Sequence, residues 1–127
     1  MQLCDIRDYI RSIFPEAAHF QIGRIDSNSE KCIGIYDGAQ KEAKPCFGPK
    51  TYDIIPVSIL IHWTANARET DATARQLYDR LKAADFPTIG GHIVPLIALK
   101  HTAPLDCTRP ESPVYERVIE AEIFYNL

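Results

Sequence analysis

The segment from Val57 to Trp63 constrains the fold more than any other part of this sequence. Alternate residues share a face there: Val57, Ile59, Ile61 and Trp63 on one side, and Ser58, Leu60 and His62 on the other. An alternation of period two with many β-branched side chains is typical of a β-strand. Because both faces carry apolar side chains, we expect this strand to lie in the centre of a sheet.

Two other segments carry apolar residues at spacings of three and four, which predicts helices with one buried stripe each. The first helix spans Gln2 to Phe14 and ends before Pro15, because proline disfavours helical geometry in the residue before it. The second spans about Thr70 to Ala84, with Thr70 as the predicted N-cap. The two stripes consist of Leu3, Ile6, Ile10, Ile13 and Phe14, and of Ala74, Leu77, Tyr78, Leu81 and Ala84.

Four further segments are predicted strands: residues 20–25, 32–36, 92–100 and 114–125. The turn residues from Asp26 to Ser29 indicate that the first two strands form a hairpin. The third strand follows the Gly90-Gly91 turn and is interrupted by Pro95, which cannot donate to a hydrogen-bonded ladder. The fourth strand places Ile119, Ala121, Ile123 and Tyr125 on one face and Glu120 and Glu122 on the other.

The predicted order α-β-β-β-α-β-β indicates an α+β fold, with a mainly antiparallel sheet and two helices packed on one face. The chain of 127 residues has the length of a single domain, residues 1–127. Two long connections, at about residues 39–55 and 101–113, are rich in proline and show little periodicity. We expect both to be projecting loops, and irregular loops of this length often serve a function.

Charge and cysteine content exclude several classes of function. The net charge is −3 and no run of Lys and Arg occurs, whereas proteins that bind nucleic-acid phosphates usually have a basic face. We therefore expect no sequence-specific nucleic-acid partner. We also expect no membrane partner, because nothing approaches the roughly 20 apolar residues of a membrane span. No signal peptide is evident, so the widely spaced Cys4, Cys32, Cys46 and Cys107 favour reduced thiols in a cytosolic protein.

The sequence contains none of the common phosphate-loop, dinucleotide, nucleophile-elbow or zinc-protease motifs. We therefore predict no catalytic residue, no cofactor and no metal ligand. His62 is interpreted as a hydrogen-bonded histidine of the sheet. A zinc site formed by His62, His92 and a cysteine is the alternative, because these histidines would approach each other if their strands paired.

The remaining reactive side chains have plain structural interpretations. Cys4 and Cys32 are interpreted as small core residues. Cys46, in a proline-rich loop, is the one cysteine that could be exposed as a nucleophile requires, and it is interpreted as an incidental loop thiol. Glu120 and Glu122 share one strand face, where charges are common because they prevent mispairing of sheets.

The layout of the chain resembles that of the tail terminator, or minor capsid and tail-completion, proteins of long-tailed bacteriophages. The resemblance extends over nearly all of the chain and rests on the order of its elements rather than on an invariant motif. Those elements are the helix ending at Phe14-Pro15, the segments 33–36 and 56–61, the helix around 74–81, the loop 105–110 and the last strand ending at Phe124-Tyr125. The loop at 39–55 corresponds to no feature of that family.

This resemblance implies a structural, non-enzymatic subunit of a six-membered ring that caps the tail tube. The implied partners are other copies of the chain, the tail tube protein and the head connector proteins. The implied location is the virion, at the tail or the head–tail junction, after synthesis in the cytoplasm of the bacterial host. The loops at 39–55 and 101–113 are the candidate contacting arms.

Two other functions are compatible with the sequence. One is a small-molecule-binding or enzymatic domain with a pocket between sheet and helices, lined by Tyr36, His62, Trp63 and Tyr78. The other is a regulatory or partner-binding dimer that uses a sheet edge and buries a large apolar interface.

Overall fold

The computed structural model of the chain describes residues 1–26, 28–39 and 50–127. It contains two helices, α1 (Leu3–Ile13) and α2 (Ala67–Lys82). The strands are β1 (His19–Ile22), β2 (Cys32–Asp37), β3 (Tyr52–His62), β4 (Thr88–Ile89), β5 (His92–Ile93), β6 (Leu96–Leu99), β7 (Leu105–Asp106) and β8 (Glu116–Asn126).

The sheet is built around β3 and β8, which pair antiparallel over their full lengths. β2 and then β1 follow on the far side of β3, while β6 and β7 lie end to end along the far side of β8. β4 and β5 form a separate small pair. The expected α+β fold with a mainly antiparallel sheet is therefore confirmed, and so is the central position of the strand that contains Val57 to Trp63.

Both helices pack on the same face of the sheet. α1 contacts β1 and β2, and α2 contacts β8, β3 and β6. Arg80 joins the two helices, because its Nη1 donates to the Ile13 carbonyl oxygen at 2.9 Å and to the Glu16 carboxylate. The buried strand residues of this face are Ile33, Ile35, Val57, Ile59, Ile61, Ile119, Ala121, Ile123 and Tyr125, and the helices add Ile6, Ile10, Ala74, Leu77, Tyr78 and Leu81.

The first two strands do not form the predicted hairpin, because β1 runs parallel to β2. Gly23, with φ of +68°, turns the chain at the end of β1, and its amide donates to the Ile35 carbonyl at 2.8 Å. Hairpin loops usually have two to five residues, and the connection between Ile22 and Cys32 is longer. It is long enough to run back along a strand of only four residues, about 13 Å. The parallel register places Phe20 beside Ile33, under α1.

Helix α2 begins at Ala67 rather than near Thr70. Asn66 is the N-cap, and its Oδ1 accepts a hydrogen bond from the Glu69 amide at 3.1 Å. Thr70 lies one turn inside the helix, fully buried, and its hydroxyl donates to the carbonyl oxygens of Thr64 and Asn66. The predicted cap was wrong because Asn and Thr are both good caps, and only tertiary packing determines which of them precedes the helix.

Several predicted boundaries also change. β3 starts at Tyr52, so the end of the predicted loop at 39–55 is strand, and residues 40–49 of that loop lie outside the described residues. The predicted loop at 101–113 contains β7, which pairs with β8. The predicted strand at 92–100 is divided at Pro95 into β5 and β6. Among the described residues, no helix is long and apolar enough to cross a membrane.

Candidate functional site

A buried polar cluster lies where β3 ends and β8 begins. The sheet register sets His62 directly opposite Glu116. His62 Nδ1 lies 2.9 Å from Glu116 Oε2, and the two residues are 0% and 1% exposed. Both side chains point away from α1 and α2, because they alternate with residues of the helix-covered face. A carboxylate can only accept, so His62 Nδ1 carries the hydrogen of this bond.

Arg109 completes the cluster from outside the sheet. Its Nε donates to Glu116 Oε1 at 3.1 Å and its Nη2 to Glu116 Oε2 at 3.3 Å, which is a two-pronged contact with the carboxylate. Burial by itself would raise the pKa of Glu116. The hydrogen bonds from His62 and Arg109, together with the positive charge of Arg109, outweigh burial and bring the pKa of Glu116 below its ordinary value. Glu116 is therefore ionised inside the protein.

The same cluster fastens the segment after β7 to the sheet. The Glu116 amide donates to Thr108 Oγ1 at 2.9 Å, and that hydroxyl also donates to the Asp106 carboxylate at 2.8 Å. The Cys107 amide donates to the Glu116 carbonyl at 3.2 Å. Residues 106–109 are thus held by backbone and side-chain bonds to the first residue of β8.

Two cysteines lie beside the cluster, and neither is an activated nucleophile. Cys32 is the cross-strand neighbour of His62 and is completely buried, as the sequence predicted. Burial and the nearby negative charge of Asp26 raise the pKa of Cys32. Burial, Glu116 and Asp106 raise the pKa of Cys107 to about 11. Because the thiolate is the reactive form, both thiols are inert at neutral pH.

The other two cysteines do not join this cluster. Cys4 was predicted to be a core residue, which is wrong: it is only partly buried, and its thiol contacts the side chain of Gln2 at 3.6 Å. Cys46 lies outside the described residues.

Among the described residues, the imidazole and the carboxylate of this cluster are enclosed, whereas the Arg109 side chain is half exposed. A histidine next to a carboxylate has the arrangement of a general base and the group that orients it. That chemistry requires contact with a reacting molecule, and His62 and Glu116 expose almost no surface. The interpretation of His62 as a hydrogen-bonded sheet histidine is confirmed. The sequence did not reveal its partner, because Glu116 lies 54 positions later and only the β3–β8 register brings the two together.

Neither His92 nor His101 approaches His62. His92 Nδ1 contacts the Asn126 carbonyl oxygen at 2.8 Å, at the end of β8 that is opposite to Glu116. His101 Nε2 lies 3.4 Å from Glu120 Oε2. Within residues 1–26, 28–39 and 50–127, no three His, Cys, Asp or Glu side chains are arranged to hold a metal ion.

The sheet face turned away from the helices, which we call the outer face, carries a mixed surface. Glu120 and Glu122 lie there, half-buried, and the Glu122 carboxylate is 3.9 Å from Lys100 Nζ. Tyr52 is 49% exposed, and its ring stacks on that of Phe124 with centroids 6.3 Å apart. Ile54, Leu60 and Val118 are half-buried on the same face. No described helix covers it.

The predicted pocket does not form. His62 and Trp63 are successive strand residues and so project from opposite faces of the sheet. Tyr36 lies on the outer face, whereas Trp63 and Tyr78 are buried on the helix side. Two concave surfaces of the described chain border β1, one near Arg11 and Phe20 and one near Ile22 and Arg24, and both are open to solvent.

Both edges of the sheet are open among the described residues. β1 pairs only with β2, while β6 and β7 pair only with β8. Each edge exposes apolar side chains, with Ile22 37% exposed on β1, Leu96 51% exposed on β6 and Leu105 40% exposed on β7. Unpaired strand edges of this kind are templates for pairing with another chain.

Comparison with known proteins identifies no family. No family model matches the chain, and no curated protein sequence is significantly similar to it. One solved structure, of a protein whose name states no function, is similar over 97% of this chain and 87% of that chain, with 12% sequence identity and a TM-score of 0.44. This likeness is too low to bear on the fold or the function.

Proposed function

We propose that the chain is a structural subunit of a bacteriophage virion that forms a ring on the tail tube, as a tail terminator or head–tail joining protein. The order of elements that resembles this family supports the proposal. The observation that carries it is that the sheet ends in two open edges of different structure. A head-to-tail ring needs two different complementary surfaces on every subunit, and the two edges supply them.

The nature of the edges supports assembly through backbone pairing. β1 is a short strand of four residues that runs parallel to its neighbour, whereas β6 and β7 run antiparallel to theirs. Main-chain hydrogen bonds at an open edge give affinity, and exposed side chains such as Ile22 and Leu105 give specificity. The proposed partners are therefore further copies of the chain, and then the tail tube protein and head connector proteins.

A non-enzymatic role is part of the proposal. The buried cluster of His62, Glu116 and Arg109 has the residue types of an active site, but its carboxylate and imidazole are enclosed. Its bonds tie residues 106–109, next to the β7 edge, to the centre of the sheet. We infer that it keeps one contact surface of the subunit in a fixed shape.

A closed two-fold dimer is the second candidate, and the outer face favours it. Tyr52 and Leu96 are about half exposed on this face, beside the partly buried Phe124. The register places Phe124 between Ile54 and Leu96 across three strands. An apolar row of this kind is what a two-fold, self-complementary contact buries.

The mass of the purified protein in solution distinguishes the two candidates. We would measure it by light scattering over a concentration series, alone and with the tail tube protein of the same phage genome. A ring of about six subunits, alone or induced by the tube, is expected from the family resemblance. A stable dimer that ignores the tube would replace the ring by the regulatory dimer, and a strict monomer that ignores the tube would refute assembly.

A matched variant sharpens this measurement. Tyr52→Arg places a charge in the apolar row of the outer face and leaves β1, β6 and β7 unchanged. A ring formed through the sheet edges keeps its mass in this variant, whereas a dimer formed through the outer face dissociates.

A further inference from the structure

The two edge strands β1 and β7 contain residues that belong to the same cross-strand rows of the sheet. Following the register across the sheet, Phe20 of β1 lies level with Ile33, Ile61, Arg117 and, on β7, Asp106. The next row begins at Gln21, passes through Gly34, Leu60 and Val118, and ends at Leu105. β1 and β7 are therefore at the same level at opposite ends of the same rows.

The two edges also have opposite strand directions. β1 is parallel to β2, β2 is antiparallel to β3, β3 to β8, and β8 to β7. β1 therefore points opposite to β7. When a second copy is placed beyond β1 in the same orientation, its β7 lies antiparallel to β1, which is the more stable way for two strands to pair.

The backbone groups that such a joint needs point outward. The amides of His19 and Gly23 donate to carbonyl oxygens of Lys31 and Ile35, so alternate residues of β1 bond to β2. In a parallel ladder the residues between them, Phe20 and Ile22, then direct their amides and carbonyls away from the sheet.

The same reasoning applies to β7. The Cys107 amide donates to the Glu116 carbonyl, so the neighbouring Asp106 directs its own amide and carbonyl away from β8. Pro104, two residues earlier, is buried, lies outside β7 and has no amide to donate. Phe20 is thus matched to Asp106.

Charged side chains beside Phe20 and on β7 also favour the pairing of these two edges. The Arg11 guanidinium lies over the Phe20 ring, 5.4 Å from its centroid, and makes no ion pair with any described residue. The Asp106 side chain points to the helix side, as does its cross-strand neighbour Arg117, which reaches Asp71 of α2 at 3.9 Å. The amide and the hydroxyl of Thr108 both donate to Oδ1 of the Asp106 carboxylate, which leaves Oδ2 for another donor.

We propose that, in the ring on which the proposed function rests, β1 of each copy pairs antiparallel with β7 of the next copy. Phe20 lies opposite Asp106 of that copy, and Arg11 reaches its carboxylate. Directly opposite residues have Cβ atoms about 4.5–5.5 Å apart, within reach of the guanidinium that covers Phe20. The sheets of neighbouring subunits then join into one continuous sheet around the ring.

Cysteine cross-linking tests this register. In the proposed joint Gln21 faces Leu105 of the next copy as a pair without mutual hydrogen bonds, with Cα atoms about 4.5 Å apart, which suits a disulfide. Within one copy the two positions are separated by four strand spacings, about 19 Å, so no internal bridge can form. The double variant Gln21→Cys with Leu105→Cys is therefore expected to give a ladder of covalent multimers on oxidation.

Two controls accompany this variant. Gln21→Cys alone measures the background from native thiols such as Cys107. Gln21→Cys with Ala103→Cys shifts the register by two residues and is expected to cross-link no more than that background. If rings form by light scattering but the double variant does not cross-link, the register is wrong and the proposed function stands. If neither rings nor cross-links form with tube protein present, both proposals are refuted.

Charge reversal tests the Arg11–Asp106 contact. Arg11→Glu or Asp106→Lys alone is expected to raise the concentration at half-assembly several-fold, and the two together are expected to restore it, because like charges are replaced by opposite ones. Asp106→Asn keeps an oxygen for the Thr108 bonds and isolates the effect of charge. Arg68→Glu, exposed at the start of α2, is the control for net charge. Assembly that is indifferent to the single reversals, or not restored in the double variant, would overturn the contact.

Discussion

Glu116 is the residue whose environment is most unusual in this protein. It is an ionised carboxylate at 1% exposure, held by His62 from one side and by Arg109 from the other. Removing one member of a buried charged group leaves the others without their partner, which costs more than the group contributes relative to an apolar replacement.

We expect Glu116→Ala to lower the free energy of unfolding by about 3–5 kcal/mol. The substitution removes the carboxylate that binds the buried His62 Nδ1 and the Arg109 guanidinium. Urea denaturation measures this change. Glu120→Ala is the matched control on the same face, since the Glu120 carboxylate pairs with the exposed His101 and such pairs contribute about 0–1 kcal/mol. Equal losses in the two variants would show that the cluster is not a special source of stability.

The acid stability of the protein depends on the same carboxylate. The pKa of Glu116 is lower in the folded chain than its ordinary value of 4.5, so its contribution is complete above that value and disappears as the pH falls through the folded pKa. We expect the stability difference between the wild type and Glu116→Gln to shrink steadily below about pH 4.5. Other carboxylates with a lowered pKa, such as Asp53 and Asp106, are present in both proteins and cancel. A difference that does not depend on pH would contradict this assignment.

At the scale of elements, helix α2 shows that the local sequence allows two positions for the start of a helix. Both Asn66 and Thr70 are followed by sequence that is able to form a helix, and both are good caps. In the folded chain the extra turn is formed because Thr70 is buried and bonds to the carbonyl oxygens of Thr64 and Asn66. The helix therefore starts earlier than its apolar stripe does.

We expect Asn66→Ala to destabilise the protein by about 1 kcal/mol, because the Glu69 amide loses its side-chain partner. Asn66→Asp keeps an accepting oxygen and is expected to have a stability close to that of the wild type. Thermal denaturation, monitored by circular dichroism, compares the two variants. An alanine variant as stable as the wild type would mean that Asn66 does not cap α2 in solution.

At the scale of the whole molecule, the strands differ in what surrounds them. β3 and β8 have a strand on each side and helices above them, whereas β1 and β7 have one strand neighbour each. Amides in the centre of a sheet exchange with solvent only when the protein opens globally, and edge amides exchange through local opening. The order of exchange thus reports which surfaces are free.

We expect the amides of Phe20 and Asp106 to exchange fast in the monomer and to become protected on assembly, because the proposed joint turns them into ladder donors. The amide of His19, which donates to the Lys31 carbonyl, is the internal control and stays protected in both states. Hydrogen exchange followed by NMR resolves these positions individually. If the amides of β6 become protected instead, the joint uses a different part of the same edge.

The sequence by itself determined the fold class and the two helices and longest strands, though not all their boundaries, because apolar periodicity is local. The stripes of α1 and α2, the central strand containing Ile59 and Ile61, and the buried face of β8 could all be recognised along the chain. The burial of His62 in a hydrogen bond could be expected as well, since a polar side chain in a central strand needs a partner.

Only the tertiary structure decided how these elements are paired. The parallel direction of β1, the β7 strand within a predicted loop and the joining of His62 to Glu116 all depend on register between segments far apart in sequence. Pairing energy is nearly the same for many registers of an isolated strand, and the burial of one face selects among them. The two sheet edges are for this reason a property of the folded chain, and no local pattern in the sequence specifies them.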